Sequence, residues 1–263
     1  MKKYIVIGNP IEHSLSPKLH NYWIKKNNIS AVYEKKKLDE NDLKNIISEV
    51  REEKINGVNI TVPFKKKVIP FLDELSDEAN KTQSVNTIYL NNGKIIGHNT
   101  DAAGFELAIK YSKYNLNNKR IFILGAGGVV PSIIFSLNKM KTSKIILSNR
   151  TKEKAENLKK LFEGLEIVDW GETINFDMII NATSIGLKNE DGIKFDYSAV
   201  GPDKFFYDVI YNPRETLFLK RAKLFGNRTE NGKMMFIYQA HQAFTIWHKL
   251  MPEIDDEVIK LIE

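Results

Sequence analysis

"ILGAGGVV", residues 123–130, decides how this chain folds. An apolar run over 120–124 ends in Gly125, Ala126, Gly127 and Gly128, the periodicity then becomes helical over 129–140, and a second apolar run follows at 144–148. Strand, glycine turn, helix and strand in that order form the opening βαβ unit of a dinucleotide-binding fold. The four small residues let the backbone approach a pyrophosphate, and the first N–H groups of the helix point at it. Val130 stands where the third glycine of GxGxxG belongs, so the order of elements carries the reading more than the glycines do.

The end of the second strand narrows the cofactor. An NAD site usually places a carboxylate there to accept hydrogen bonds from the ribose hydroxyls. This chain has Asn149, Arg150 and Thr151, with Lys152 and Lys154 close behind. A guanidinium, an amide, a hydroxyl and nearby ammonium groups suit a 2′-phosphate, so the sequence predicts NADP. A plain basic helix start is the alternative, but helix N-termini favour acids.

Outward from that unit, short apolar runs alternate with helical ones along all 263 residues, which predicts α/β architecture with mostly parallel sheets in two domains. Strands are expected at 4–8, 31–36, 57–62 and 85–90, and helices at 17–26, 40–53 and 65–72. Later strands are expected at 178–181 and 205–209, and a helix at 233–250 that returns to the first domain. The polar stretch "NLNNK", 115–119, reads as a connection. The domain expectation is 1–100, completed by a C-terminal helix at 236–263, and 101–235 as the Rossmann-type NADP-binding domain.

Composition excludes several function classes. Hydrophobic residues make up 42% and charged residues 27%, a balance typical of globular proteins. No apolar run reaches membrane-spanning length, and the start of the chain turns polar too early for a signal peptide, so a cytoplasmic protein without membrane partners is expected. The chain has no cysteine, which removes disulfides, thiolate nucleophiles and cysteine-ligated metals. The five histidines are scattered without ligand spacing, so no metal is expected. The net charge of +6 comes from lysines spread along the chain, which fits anionic small molecules better than nucleic acid.

Polar residues gather at other predicted strand and helix ends. In "EHSLSPKLHN", 12–21, Ser16 reads as a helix N-cap with Pro17 at the first helical position, and Ser14 adds a hydroxyl, so the turn suits a carboxylate. "NITVPFK", 59–65, puts an amide, a hydroxyl and an ammonium at a strand end, where solvated decoration is the plain alternative. "GHNTDAAG", 97–104, brings Asp101 to a helix start at the domain crossover, placed to face Lys65 across a cleft and orient its ammonium.

Taken together, SLSP at 14–17, NITVPFK at 59–65, VNT at 85–87, NTDAAG at 99–104, GAGG at 125–128, NRT at 149–151, NATSIG at 181–186 and NGKMMFIYQAHQAF at 231–244 resemble, in order and spacing, the motifs of the shikimate dehydrogenases. The resemblance covers nearly the whole chain. It implies reduction of 3-dehydroshikimate to shikimate with NADPH in aromatic amino acid biosynthesis, with the substrate lying between the two domains. It implies that Ser14, Ser16 and Tyr211 hold the substrate carboxylate, and that Thr61, Asn86 and Gln239 hold ring hydroxyls and neighbouring groups. Lys65 and Asp101 match the catalytic pair, Asn149, Arg150 and Thr151 the 2′-phosphate site, and Gly232 a position near the nicotinamide. Asn59 is expected to support its turn rather than touch substrate.

The chain departs from the family pattern after GAGG, where Val129, Val130, Pro131 and Ser132 replace the usual alanines and arginine. "QSVNT" at 83–87 and Met234 and Phe236 around Met235 are further departures that bear on substrate fit. A quinate/shikimate dehydrogenase, often NAD-dependent, is the nearest alternative, against which Ser14, Ser16 and Arg150 weigh. SLSP and NTD argue against a folate-linked dehydrogenase. A non-catalytic NADP sensor would have no need for a matched lysine and carboxylate. A monomer or homodimer is expected.

Overall fold

The computed structural model describes residues 1–172, 174–188 and 191–262. The chain forms two compact units, Met1–Gly104 with Ile237–Glu263, and Phe105–Phe236. Along the first run come β1 (Lys2–Gly8), α1 (Ser16–Lys26), β2 (Ala31–Lys37), α2 (Leu43–Arg51), β3 (Gly57–Ile60), β4 (Glu74–Leu75), α3 (Asp77–Thr82), β5 (Thr87–Asn91), β6 (Lys94–His98) and the start of α4 (Thr100–Ser112). The second unit then holds β7 (Arg120–Leu124), α5 (Val130–Lys139), β8 (Lys144–Ser148), α6 (Lys152–Leu161), β9 (Glu166–Val168), β10 (Met178–Asn181), β11 (Phe205–Asp208), α7 (Leu217–Leu224), β12 (Arg228–Glu230) and the start of α8 (Lys233–His248). α9 (Asp256–Leu261) closes the chain.

The second unit's sheet runs β12-β11-β10-β7-β8-β9, parallel at every pairing. β7 lies between β8 and β10, so the chain reverses direction across the sheet at β7, and the glycine turn sits at that strand's carboxyl end. Such a switch point is where open α/β sheets bind ligands. The four inner strands, β11, β10, β7 and β8, are apolar almost throughout, as strands covered on both faces require, while the edge strands β12 and β9 are partly exposed.

The first unit's sheet, β2-β1-β3-β5-β6-β4, is mixed. β1 pairs parallel with β2 and β3, whereas β5 runs antiparallel to β3 and β6. β5 and β6 join through Asn92 and Gly93, both at positive φ, 49° and 77°, the geometry of a two-residue hairpin. β1 alternates between two cores. Ile5 and Ile7 join the cluster with Ile46, Val50, Val58 and Ile60, while Tyr4 packs its ring 5.0 Å from Trp247. On that second face His20 stacks on Tyr33 at 4.2 Å; burial pushes its pKa down to about 3, which keeps the imidazole neutral.

The helix expected at 65–72 does not form. Only a 3-10 turn at Ile69–Phe71 appears, because Pro70 has no N–H to give the Lys66 carbonyl and the Lys65 carbonyl instead accepts from the Val85 amide at 2.9 Å. The helix expected at 40–53 splits into a 3-10 turn and α2. The C-terminal helix expected over 236–263 is two helices, α8 and α9, separated by Lys249 at φ 54° and Pro252; Glu263 lies outside the described residues.

Candidate active site

Lys65 reaches its position through a turn that the strand end imposes. After β3 the Thr61 amide still bonds the Ile7 carbonyl at 2.9 Å, and Phe64 and Val68 are buried in the core on either side of Lys65. The lysine is thereby held while its neighbours Lys66 and Lys67 are exposed. Its Nζ donates to Asp101 Oδ2 at 2.5 Å, and the two side chains are only 13% and 9% exposed. Both residues belong to the first unit, so the pair is built within one unit and does not face across a gap between domains.

Asp101 sits in the first turn of α4, whose start is capped by Asn99. The Asn99 Oδ1 accepts from the Ala102 amide at 3.1 Å, while its Nδ2 donates to Thr82 Oγ1 and the Ser84 carbonyl, both at 2.9 Å. Asn86 fixes the same helix start, with its Oδ1 accepting from the Thr100 amide at 2.7 Å and its Nδ2 donating to Thr100 Oγ1 at 2.9 Å. The carboxylate that meets Lys65 is therefore set by two buried amides.

Asn59 is the next link. It is 6% exposed, accepts from the Tyr33 hydroxyl at 2.7 Å, and donates to the Asn86 carbonyl and Thr87 Oγ1, both at 3.0 Å. Its amide is spent on joining β2, β3 and β5, and Tyr33 has no counterpart among the residues singled out from the sequence. Thr61 is half-buried, and a Cβ added to Gly8 would lie 2.4 Å from its Cγ2, so only glycine fits beside it.

Ser16 is the first residue of α1 and not its cap; Leu15 holds the cap position. The Ser14 Oγ accepts from the Ser16 amide at 3.3 Å, and Ser16 is 7% exposed while Ser14 is half-buried. Gln239 is half-buried on α8 in the first unit. Tyr211 and Gly232 belong to the second unit, where Tyr211 stacks on Phe236 at 4.5 Å. A Cβ on Gly232 would fall 2.1 Å from the Val209 carbonyl oxygen, so the backbone's close approach requires glycine there.

The glycine turn has the form a dinucleotide needs. Gly125 has φ +107°, and a Cβ there would lie 2.8 Å from the Ala182 oxygen, whereas Gly127 and Gly128 are exposed. The Asn149 Oδ1 accepts from the Ala126 amide at 3.1 Å and its Nδ2 donates to the Thr151 carbonyl at 2.7 Å, tying the turn to the end of β8. Arg150 and Thr151 are exposed beside it. Val130 and Ser132 are fully buried, and their amides bond the Gly127 and Val129 carbonyls at 3.0 and 3.1 Å. An anionic ligand thus meets exposed glycine backbone, a guanidinium and a hydroxyl, a donor set that fits NADP.

Sequence reasoning missed Asp208 and Thr216. Asp208 ends β11 fully buried, burial pushes its pKa up to about 6, and Thr216 donates to it at 2.6 Å. A lone acid closing the apolar run "FFYD" was the available signal. Among the described residues no cluster of acidic or histidine side chains is placed to hold a metal, and no helix is long and apolar enough to cross a membrane.

Two family models match the chain, the shikimate dehydrogenase substrate binding domain over residues 6–88 and shikimate / quinate 5-dehydrogenase over residues 106–188. The shikimate dehydrogenase (NADP(+)) of Pelagibacter ubique is 63% identical over 262 residues, covering 100% of this chain and 99% of its own. The shikimate dehydrogenase of Aquifex aeolicus superposes with a TM-score of 0.89 at 36% identity, covering 100% of this chain and 97% of that one. The Thermus thermophilus shikimate 5-dehydrogenase, solved in complex with NADP(H) and shikimate, gives 0.90 at 30% identity, covering 100% and 98%.

Proposed function

Since the chain belongs to the shikimate dehydrogenase family, we propose that Lys65 and Asp101 are the catalytic pair of its reaction. The enzyme interconverts 3-dehydroshikimate and shikimate with NADP(H), a step of the shikimate pathway. Bound NADPH supplies the hydride. As the carbonyl carbon is reduced, negative charge gathers on the oxygen, and the Lys65 ammonium stabilises it and donates the proton that completes the hydroxyl. Lys65 is then a neutral amine that regains its proton from solvent. Asp101 holds the ammonium in place and bonds a substrate hydroxyl. The observation that carries this reading is the 2.5 Å pair of shielded side chains.

In the same reading Ser14, Ser16 and Tyr211 hold the substrate carboxylate, and Thr61, Asn86 and Gln239 the ring hydroxyls and neighbouring groups. Asn86 does so while its amide also fixes Thr100, which supports a rigid ring site. Gly125, Ala126, Gly127 and Gly128 receive the pyrophosphate, Asn149, Arg150 and Thr151 the 2′-phosphate, and Gly232 lies near the nicotinamide. The exposed glycine backbone carries the phosphates because the first-turn amides of α5 are already bonded. The unit Met1–Gly104 with Ile237–Glu263 is then the substrate domain and Phe105–Phe236 the cofactor domain, a boundary a few residues beyond the expected 100/101 that keeps Asp101 with Lys65, and the enzyme is a cytoplasmic monomer or homodimer.

The test follows absorbance of the reduced nicotinamide with purified protein, shikimate or quinate, and NADP or NAD. Turnover of shikimate with NADP is expected to exceed the other three combinations. Equal turnover of quinate with NAD would instead assign the broader quinate/shikimate activity.

A further inference from the structure

We propose that Asp208 is a positioning residue whose carboxylate closes the loop 208–216 at both ends and thereby sets where Tyr211 presents its hydroxyl to the substrate. The inference rests on the reading of Tyr211 as a ligand of the substrate carboxylate. Asp208 Oδ1 accepts from the Ile210 amide at 3.0 Å and from Asn181 Nδ2 at 3.1 Å, and Oδ2 accepts from the Thr216 hydroxyl at 2.6 Å. Tyr211 lies between the two anchored ends. The Thr216 hydroxyl also caps α7 through the Leu219 amide, so the far end of the loop is fixed to a helix.

Three further contacts leave the loop little freedom. The Gly232 backbone amide donates to the Ile210 carbonyl at 3.1 Å, the Asn231 side-chain Nδ2 donates to the Arg214 carbonyl at 2.8 Å, and Phe236 stacks on the Tyr211 ring. Asn181 extends the same control to the NATSIG loop. Its Nδ2 also donates to the Ile185 carbonyl at 3.1 Å, and its Oδ1 accepts from the Thr183 amide and hydroxyl at 3.0 and 2.7 Å. One carboxylate thus couples two loops at the carboxyl edge of a parallel sheet, the edge where such sheets bind ligands. These three partners of Asp208 are neutral, and burying a carboxylate among neutral donors is costly, which points to a role that an apolar residue in β11 would not fill.

Thr216→Val, which keeps the side-chain shape, tests the closure directly, with Thr216→Ser as the conservative rescue. Thr216→Val is expected to raise KM for shikimate about five-fold or more, in KM rather than kcat, with NADP affinity unchanged; Thr216→Ser is expected to restore it. In Asp208→Asn the new Nδ2 cannot accept the Thr216 proton and can only donate to an oxygen that already accepts from the Leu219 amide, so KM is expected to rise in the same direction as in Thr216→Val. In a Tyr211→Phe background, Thr216→Val is expected to add less than about two-fold, because both act through one hydroxyl. A lowered Tm with KM unmoved, or effects that multiply fully in the double variant, would overturn the proposal. So would a large rise in KM for Asp208→Asn with Thr216→Val silent. If Tyr211→Phe alone leaves KM unchanged, the role of Tyr211 fails and the inference with it, a result distinct from Tyr211→Phe raising KM while Thr216→Val does not.

Discussion

The proposed catalytic residues of the first unit are shielded, with Lys65 and Asp101 13% and 9% exposed and Asn86 at 2%, whereas the proposed cofactor residues Gly127, Gly128, Arg150 and Thr151 of the second are exposed. The contrast fits what each is proposed to bind. Proton transfer needs one ammonium held at one distance, and that requires side chains locked by buried partners. Phosphates are large, charged and tolerant of geometry, so backbone N–H groups and a solvated guanidinium serve them. Substitutions in the first unit are therefore expected to act through catalysis and stability together, and those at the second unit's turn through affinity alone.

The largest effect expected from this difference is that of Lys65→Ala, which should lower kcat by about 100- to 10,000-fold while NADP still binds, as a fluorescence titration of the cofactor would show. Unchanged turnover would remove Lys65 from the mechanism. Asn59→Ala sharpens the comparison from the stability side. It strips the Tyr33 hydroxyl and Thr87 of a buried partner and is expected to cost about 1–3 kcal/mol in urea unfolding. A variant as stable as the parent would show that the polar links between β2, β3 and β5 carry no load. The smallest effect is expected in the second unit, where Arg150→Ala should weaken NADP about five-fold, since the guanidinium is solvent-exposed, and leave NAD affinity unchanged. An equal loss for both cofactors would place Arg150 on a part of the dinucleotide other than the 2′-phosphate.

The central strands of the second unit are the most legible in sequence, although its α6, β9, α7 and β12 have no counterpart among the expected elements. Strands expected at 120–124, 144–148 and 178–181 coincide with β7, β8 and β10, because a parallel strand covered on both faces is a continuous apolar run bounded by turn residues. In the first unit β6 has no counterpart among the expected strands although "NNG" at 91–93 is a hairpin signal, and the periodicity at 65–72 matches a helix although Phe64 and Val68 are core anchors of a turn containing Pro63 and Pro70. Ser16 followed the pattern of a cap residue, yet the chain enters α1 one residue earlier.

By itself the sequence determined the alternation of strands and helices, the glycine turn, the preference for a 2′-phosphate and the family, since each of these is written in neighbouring residues. Only the tertiary structure decided that Lys65 and Asp101, whose pairing the sequence already suggested, meet within one unit, that Asn59 is spent on Tyr33, and that Asp208 accepts from both ends of the Tyr211 loop. The physical reason is burial. A polar group taken out of water must find a partner, and which group that is depends on strands brought together from far along the chain, so no local pattern contains it.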